Sequence, residues 1–499
     1  MPLPERATVS PWAQAWIAWD GVGRWPSLAV ATCCRPAVRP SRLGAWAHEL
    51  VRLWAIRLPR GEGGSLLCAN GASLARVREV HRRRCRHTIA GQEVSSMSQC
   101  DTKLNVLLIG GGMISEEVLL PTLFQEQAAG RIGKVSVATR RSSTIQHLRQ
   151  IFPGREFTGY PEAAGGSEVA DPNAFQKALA DLERPGAVVV ATPDHLHTPM
   201  ILAALEAGFD VVTEKPLCIK TADAWKIIES ADEKAAYVYT DYHKRHDRAI
   251  RALRYRYRRG WLGEMLHGHA WIEEKREIPL EKFVLWAGKS SPFEYIGVHY
   301  VDAYYFVTGL KPRRLVAFAQ KKLLVSKGID AYDTAQATIE WEDNSVLFVQ
   351  TSWVNSNRNS TLTNQGMMVL GTEGEYWADH KARGLHFVTE RGGYEDYNPN
   401  FFKAYDDWDD PDKDQWTGYG YDSLVMGLND IRTIYLATQG LDAAAAKEKR
   451  RQMLANWADK RPLPRQALIG TAVIEAARIS FENNSAYVGF DDNMRPKLL

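Results

Sequence analysis

Lys215 and His299 are the side chains of this 499-residue chain whose types and settings best suit proton transfer. Lys215 follows an apolar run, at the C-terminal end of a predicted strand, where ligands bind in open α/β sheets. His299 lies on a predicted helix, and an imidazole titrates near neutral pH. An ammonium that stabilises a developing oxyanion and an imidazole that accepts a hydroxyl proton would together oxidise an alcohol, and a desolvated lysine could also act as the base.

A glycine turn well upstream of Lys215 indicates a dinucleotide site. It follows the apolar run Leu104–Ile109 and precedes a predicted helix. Gly110 permits the tight turn, Gly112 lets the backbone approach a pyrophosphate at the helix N-terminus, and Ser115 occupies the third position of the motif. The residues that we assign to this cofactor-binding turn are Gly110, Gly112, Met113 and Ile114.

The end of the second predicted strand bears on the choice between NAD and NADP. NAD sites usually carry an acid there for the ribose hydroxyls, whereas this chain has Thr139, Arg140 and Arg141. Either arginine could hold a 2′-phosphate through charge-assisted hydrogen bonds, although both could equally be solvated at the start of a helix. The sequence therefore favours NADP over NAD as cofactor.

The third and fourth strands add further predicted cofactor contacts. Thr192 and Pro193 end the apolar run that places them over the cofactor, because proline cannot continue a strand ladder. His195 or His197 could approach the nicotinamide ribose, and the alternative for either histidine is to cap the next helix. Glu214 and Lys215 follow the fourth strand and are assigned to the cofactor site as well.

The order of the predicted elements indicates an α/β protein of two domains. From Lys103 to about Thr240, apolar strands alternate with helices, as in a doubly wound parallel sheet. Beyond about residue 250, polar and apolar residues alternate with period two, which predicts a large open, mostly antiparallel sheet packed on helices. We expect a Rossmann domain over residues 101–225 and a substrate-binding and oligomerisation domain over residues 226–490.

The first hundred residues have a different composition. Residues 1–96 hold 14 arginines, no lysine and six acidic residues, and they match neither a secretory signal nor a zinc-ligand spacing. We interpret residues 1–100 as an irregular extension without a function of its own, with Met97 a plausible start of the native protein. The whole chain is 45% hydrophobic with a net charge of +3. We therefore expect a cytoplasmic protein with no metal, no membrane and no nucleic-acid partner.

Three strings together resemble one family. The glycine turn, the string ATPDHLHTPM that begins at Ala191, and Glu214–Lys215–Pro216 are similar to the Gfo/Idh/MocA oxidoreductases, which include glucose-fructose oxidoreductase and inositol dehydrogenase. The resemblance covers about residues 103 to 310. It implies an N-terminal Rossmann domain and a C-terminal α/β domain. The open sheet of the second domain commonly forms the subunit interface, which implies a homodimer or homotetramer.

The resemblance also implies an Asp-x-x-x-His pattern beside the substrate, on a helix of the second domain. In this chain His299 keeps the histidine position, and Tyr295 stands where the family has aspartate. Two interpretations are open: Tyr295 donates a hydrogen bond to the substrate, or Asp302, one helical turn further, orients His299.

The predicted function is hydride transfer between a nicotinamide cofactor and a secondary hydroxyl or hemiacetal of a sugar, cyclitol or related polyol. Lys215, His299 and Tyr295 are the predicted catalytic residues. An aromatic and acidic segment from Tyr394 to Tyr421 suits a sugar, or else a solvated loop or a subunit contact. Two alternatives stay open: a non-catalytic nucleotide- and sugar-binding regulator on the same fold, or a reductase of a small carbonyl compound or imine.

Overall fold

Two large β-sheets organise residues 102–163 and 167–499, the part of the chain that the computed structural model describes. One sheet is formed from the first 140 or so of these residues, and the other from the rest. The predicted extension over residues 1–100 lies outside the described residues. Among the described residues, no helix has both the length and the hydropathy of a membrane span.

The first sheet is parallel throughout. Its six strands are β1 (Leu104–Ile109), β2 (Ile132–Ala138), β3 (Thr158–Tyr160), β4 (Gly186–Val190), β5 (Asp210–Glu214) and β6 (Val238–Asp241). They lie in the order β3-β2-β1-β4-β5-β6, so the chain reverses direction across the sheet between β1 and β4, at the point where such sheets bind ligands. The connecting helices are α1 (Leu120–Ala128), α2 (Ser142–Ile151), α3 (Ala174–Asp181), α4 (His197–Glu206) and α5 (Thr221–Lys234).

Pro121 shapes the entry into α1. The chain leaves the glycine turn through a wide π-helical turn, Ser115–Leu119, before α1 begins. Pro121 directly follows this turn near the start of α1, and its missing backbone N–H interrupts the regular helical hydrogen bonding there.

The second sheet is large and mixed, with mostly antiparallel neighbours. The strands that follow β6 are β7 (Met265–Lys275), β8 (Pro312–Gln320), β9 (Thr334–Trp341), β10 (Val346–Asn355), β11 (Thr363–Gly371), β12 (Glu375–Asp379), β13 (His386–Thr389), β14 (Gly393–Asp396), β15 (Lys403–Asp406), β16 (Asp414–Thr417), β17 (Val488–Phe490) and β18 (Pro496–Leu498). The sheet order is β12-β11-β7-β10-β9-β8-β17-β18, and only β7 and β10 pair in parallel within it. The strands β13–β14 and β15–β16 form two separate hairpins. The predicted fold class is confirmed.

The helices of the C-terminal part of the chain divide between the two sheets. They are α6 (Arg248–Tyr257), α7 (Val298–Thr308), α8 (Leu323–Ser326), α9 (Tyr419–Thr438), α10 (Ala443–Trp457) and α11 (Pro464–Glu482). Along β9 the residues Ala335, Ala337, Ile339 and Trp341 are buried, and the residues between them are partly exposed. This alternation places one face of the sheet on the core and leaves the other open.

The helix α9 returns to the first sheet. Gly427 lies against β5 and β6, where an added Cβ would be 2.9 Å from Val212 Cγ2, and Leu424 and Leu428 join the core of the first sheet. The predicted boundary at residue 225 would also cut β6 from the sheet that it completes. We therefore propose that the Rossmann domain continues to about residue 242 and is covered by a helix from the C-terminal part of the chain.

Candidate active site

The glycine turn after β1 lies against the end of β4. Gly110 has a φ of 125°, and an added Cβ would be 2.1 Å from the carbonyl oxygen of Ala191, so only glycine fits there. Ser115 is buried and donates a hydrogen bond of 3.2 Å to the Gly110 carbonyl. A Cβ at Gly112 would meet nothing within 4 Å, which leaves open space above the turn.

The segment after β4 presents polar atoms beside that turn. Thr192 Oγ1 and His195 Nδ1 are buried and have no hydrogen-bond partner among the described residues. Buried polar atoms in proteins are nearly always paired, so these two are available to a partner that the described residues do not supply. Together with the open space at Gly112, they fit the phosphates and ribose hydroxyls of a dinucleotide.

His197 is placed differently from His195. Its ring is buried, with Nδ1 2.7 Å from the carbonyl oxygen of Pro216 and Nε2 2.8 Å from that of Thr192. Burial lowers the pKa of this imidazole. Because both ring nitrogens already contact backbone carbonyls, neither is available to a ribose. The geometry supports a positioning role for His197, which joins the ends of β4 and β5.

The arginines at the end of β2 are both exposed. Arg141 Nη1 lies 3.9 Å from Glu168, and Ser143 Oγ donates a hydrogen bond of 2.6 Å to the same carboxylate. Thr139 Oγ1 donates to the Arg141 carbonyl at 2.8 Å. Arg140 has no carboxylate within ion-pair distance among the described residues. Sequence reasoning missed Glu168, because it comes from the loop after β3 and no local motif marks it.

Lys215 and Tyr295 meet although they come from distant parts of the chain. Lys215 directly follows β5, and Tyr295 lies on the π-helical turn Phe293–Gly297 that leads into α7. Lys215 Nζ donates a hydrogen bond of 2.7 Å to the Tyr295 carbonyl and lies 3.8 Å from the centroid of the Tyr295 ring. Only 7% of the Lys215 surface is exposed. The Tyr295 ring also contacts Phe283 and Trp353, at centroid distances of 5.0 and 6.0 Å.

His299 lies in the same buried region, one helical turn after Tyr295. It is 4% exposed, and its Nδ1 has no hydrogen-bond partner among the described residues. Burial is the main cause of a pKa well below the ordinary range, and the positive charge of Lys215 is the next, followed by His243 and Lys244. The imidazole is therefore neutral at neutral pH, and its unpartnered ring nitrogen is free to accept a proton.

Asp302 does not orient His299. Its two carboxylate oxygens accept hydrogen bonds of 2.7 and 2.9 Å from the guanidinium of Arg245, and both side chains are buried. The interpretation in which Asp302 holds the imidazole is therefore wrong. A buried carboxylate so near an arginine on a neighbouring segment forms the ion pair in preference.

Two neighbouring residues that follow β6 were missed. The His243 ring lies 4.6 Å from that of His299, centroid to centroid. Lys244 is buried, donates a hydrogen bond to Gln365, and has a pKa lowered by burial to about 7. Both residues follow a predicted parallel strand, as Lys215 does, and this position could have marked them as candidates in the sequence.

Two carboxyl groups at the ends of β5 and β6 titrate abnormally. Burial, and then the negative charge of Asp241, raise the pKa of Glu214 to about 8. Burial raises the pKa of Asp241 to about 7, against a hydrogen bond from Ser423 and the charge of Lys215. Two carboxylates with displaced pKa values beside one lysine are typical of a catalytic site.

The aromatic and acidic segment divides into two parts. Phe401 and Tyr419 lie with ring centroids 5.2 and 5.6 Å from that of His243, so this part faces the histidine pair. Trp408, between β15 and β16, is 93% exposed. The backbone of Trp416 exchanges hydrogen bonds of 2.7 and 3.0 Å with the Gln125 amide on α1, which joins this hairpin to the first sheet.

Known proteins share this architecture. The family model described as "Oxidoreductase family, NAD-binding Rossmann fold" matches residues 104–242, and the model "GFO/IDH/MocA C-terminal domain" matches residues 250–377. The chain belongs to the Gfo/Idh/MocA family. The two matches also divide the chain near residue 242, as the two sheets do.

Three known proteins are similar to this chain, one in sequence and two in fold. D-glucoside 3-dehydrogenase of Escherichia coli is 24% identical over 277 residues, which are 52% of this chain and 73% of that protein. The crystal structure of GenD2 from gentamicin A biosynthesis, in complex with NAD, superposes with a TM-score of 0.56 at 19% identity, covering 78% of this chain and 97% of that one. Scyllo-inositol dehydrogenase from Lactobacillus casei, with bound NAD(H) and scyllo-inositol, superposes with a TM-score of 0.52 at 15% identity, covering 78% and 99%. At these identities the two structures show a shared fold.

Proposed function

We propose that this Gfo/Idh/MocA protein transfers hydride between a nicotinamide cofactor and a secondary hydroxyl or hemiacetal of a sugar, cyclitol or related polyol. The observation that carries the proposal is the contact of Lys215 with Tyr295, one helical turn before the buried His299, at the carboxyl end of a parallel sheet whose glycine turn is open for a dinucleotide. The similar glucoside and inositol dehydrogenases support the substrate class.

Each residue has a defined part in this proposal. When bound, the nicotinamide ring supplies the position that accepts or returns the hydride. The Lys215 ammonium stabilises the oxygen that becomes negative as the hydroxyl proton leaves. The neutral His299 imidazole receives that proton through its unpartnered ring nitrogen. Tyr295 donates a hydrogen bond from its hydroxyl to the substrate and restricts Lys215 through its carbonyl.

The cofactor contacts form a second part of the proposal. Gly110, Gly112, Met113 and Ile114 form the phosphate-binding turn. Thr192, Pro193 and His195 lie over the cofactor, supported by the unpartnered atoms of Thr192 and His195. Glu214 and Lys215 close the site from β5.

We propose a preference for NADP over NAD. Thr139, Arg140 and Arg141 follow β2, and Arg140 is the exposed cation left without a carboxylate partner among the described residues. Its guanidinium suits a 2′-phosphate. Glu168 opposes this preference by neutralising Arg141, so Arg140 is the residue on which it depends.

We also propose an oligomeric state and a cellular compartment for this protein. A homodimer or homotetramer is supported by the open face and edge of the second sheet, where Phe318 and Trp377 are 53% and 67% exposed. The composition supports a cytoplasmic protein.

Absorbance at the nicotinamide wavelength tests the proposal. The protein is mixed with NADP or NAD and a panel of aldoses, glucosides and inositols, and we expect the reduced cofactor to accumulate with at least one substrate. The reverse reaction, with reduced cofactor and small keto compounds or imines, tests the reductase alternative. Tight sugar binding without any change in cofactor absorbance would favour the regulatory alternative, for which the tyrosine at position 295 is the supporting observation.

A further inference from the structure

His243 is a histidine beside the proposed proton acceptor that the proposed mechanism does not use. It begins the short helical turn His243–His246, which follows β6 of the first sheet. Its ring centroid lies 4.6 Å from that of His299 on α7, and the two ring planes are inclined at 41°. The end of the first sheet and a helix of the C-terminal part therefore place two imidazoles in direct contact.

The two rings differ in exposure. His299 is 4% exposed, whereas His243 is only partly buried. The residues on either side of His243, Tyr242 and Lys244, are both buried. Neither imidazole takes part in a hydrogen bond with a protein group among the described residues. Polar atoms inside proteins are nearly always paired, so the ring nitrogens of His243 are available to a ligand that reaches its open side.

Two further rings hold the His243 imidazole in place. The centroids of Phe401 and Tyr419 lie 5.2 and 5.6 Å from that of His243, and 5.1 Å from each other. The backbone fixes both of these rings. The N–H of Tyr419 donates to the Asn400 carbonyl at 2.8 Å, and the N–H of Gly420 donates to the Phe401 carbonyl at 2.9 Å. The imidazole is thus oriented by ring contacts, which leaves its nitrogens for recognition.

A neutral imidazole suits a hydroxyl group. Burial, and then the positive charge of Lys244, hold the pKa of His243 well below its ordinary range. At neutral pH the ring therefore carries one N–H donor and one acceptor nitrogen, and a hydroxyl group both donates and accepts. His299 is neutral for the same main reason, which is burial. Two neutral imidazoles in contact match two hydroxyls on adjacent carbons, the closest such pair that a sugar or cyclitol ring presents.

We propose that His243 binds the hydroxyl next to the one that is oxidised, so that the substrate is a vicinal diol. The inference rests on the proposed function, in which His299 accepts the proton of the reacting hydroxyl. The contact between the two rings places the second hydroxyl at His243 when the first is at His299. The hydroxyl at His243 does not react, so its hydrogen bond is present both before and during hydride transfer. His243 therefore acts on substrate binding, and His299 acts on the chemical step.

Deoxy sugars test this assignment in the wild type. Hydride transfer from methyl α-D-glucoside and from myo-inositol is compared with transfer from analogues that each lack one hydroxyl. For the compound that reacts, we expect one analogue deoxygenated beside the reacting carbon to lose about tenfold or more in kcat/KM, which is the effect of roughly one hydrogen bond. The loss should lie mainly in KM.

His243→Phe removes both nitrogens and keeps a flat ring among the same aromatic neighbours. We expect kcat/KM for the parent compound to fall about tenfold or more, chiefly through KM, while the value for the deoxy analogue changes less than about twofold. The discrimination between the two compounds then disappears. His243→Gln restores a donor and an acceptor and should recover part of it. Undiminished discrimination in folded His243→Phe, checked by circular dichroism, would overturn the assignment.

Phe401→Leu is the matched control. It disturbs the packing around His243 and removes no hydrogen-bonding group. The parent compound and its deoxy analogue should therefore change by the same factor. An unequal change as large as that in His243→Phe would mean that packing sets the preference, and the hydrogen bond assigned to His243 would be rejected.

Binding separates this assignment from the proposed function. The melting temperature of the protein saturated with NADP or NAD is measured with and without the same parent and deoxy compounds. If the wild type transfers no hydride but prefers a parent compound to its analogue through His243, the proposed function fails and the assignment stands. If hydride is transferred and His243→Phe weakens parent and analogue equally, the assignment fails and the proposed function stands. Neither binding nor hydride transfer with any of these compounds would overturn both.

Discussion

The Lys215 ammonium lies 3.8 Å from the centroid of the Tyr295 ring and donates a hydrogen bond of 2.7 Å to the carbonyl of the same residue. The ring face attracts the cation, and a desolvated contact of this kind contributes about 2 kcal/mol. Tyr295 therefore restrains the lysine by its backbone and its ring together. The contact joins the end of the first sheet to the turn that begins α7, so both parts of the chain are needed to build the cleft.

Loss of the ammonium should stop the chemistry and spare cofactor binding. We expect Lys215→Met to reduce kcat by about 100-fold or more, because a group that stabilises the developing oxyanion is gone. Cofactor affinity, followed by fluorescence titration, should change only a fewfold. Lys220→Met, at an exposed lysine shortly after it, is the control and should keep wild-type kcat. Wild-type turnover in Lys215→Met would refute the proposed mechanism.

Removing the imidazole should have a comparable effect. His299→Asn should lower kcat by about 100-fold or more, the usual contribution of a general base. Nicotinamide absorbance under saturating substrate measures it. The buried ring also fills space beside His243, so circular dichroism must show an intact fold. A folded variant with undiminished kcat would exclude His299 as the proton acceptor.

Two glycine substitutions should separate folding from cofactor binding. Gly110→Ala places a Cβ 2.1 Å from the Ala191 carbonyl at a positive φ, and we expect a clear fall in melting temperature. Gly112→Ala places its Cβ in open space, so the melting temperature should not change. The added methyl group would lie where the pyrophosphate approaches the backbone, so we expect cofactor affinity to fall about tenfold or more. Equal stability of the two variants would contradict the geometry of the turn.

The pH dependence should reflect the charges around His299. Because its pKa is lowered well below the ordinary range, the wild-type imidazole stays neutral as the pH falls from 8 to 6, and its protonation removes no activity there. Lys244 is one of the positive charges that lower this pKa. Lys244→Met should therefore raise it and move the acid limb of kcat/KM to higher pH. If the acid limb moved to lower pH while protonation of His299 still caused it, the predicted direction of the effect of Lys244 on this pKa would be wrong.

The cofactor preference should depend on one arginine. Arg140→Asp removes the cation proposed for the 2′-phosphate and adds an acid suited to ribose hydroxyls. We expect NADP affinity to fall about tenfold or more and NAD affinity to hold or rise, measured by titration with each cofactor. Arg141→Ala, which removes a guanidinium beside Glu168, should have the smaller effect. Unchanged NADP affinity in Arg140→Asp would refute the assignment.

The first sheet could be predicted from the sequence because its strands are buried on both faces. Continuous apolar runs predicted β1, β4 and β5 within a residue or two, and parallel topology places the residues after such strands at one edge. Lys215 could be identified for that reason. The short strand β3 carries too few apolar residues to stand out, and it was not predicted.

The side chains that contact each candidate site residue could not be predicted from the sequence in this way. Arg245 and Asp302 pair across 57 positions of sequence, and Lys215 contacts Tyr295 across 80 positions. No periodicity within a strand or helix encodes which distant side chain lies opposite. For this reason the alternative in which Asp302 orients His299 was wrong, and His197, one of two histidines considered for the ribose, instead has both ring nitrogens against backbone carbonyls.

The sequence by itself determined the class of fold and the glycine turn, and it marked Lys215 and His299 as candidates, because local apolar patterns and short motifs encode strands, helices and turns. Only the tertiary structure decided what surrounds these two residues. It brought the Tyr295 ring against the Lys215 ammonium and the His243 ring against the His299 imidazole. Burial and charge act through space, so the protonation state of each group depends on neighbours that the chain supplies from far along its length.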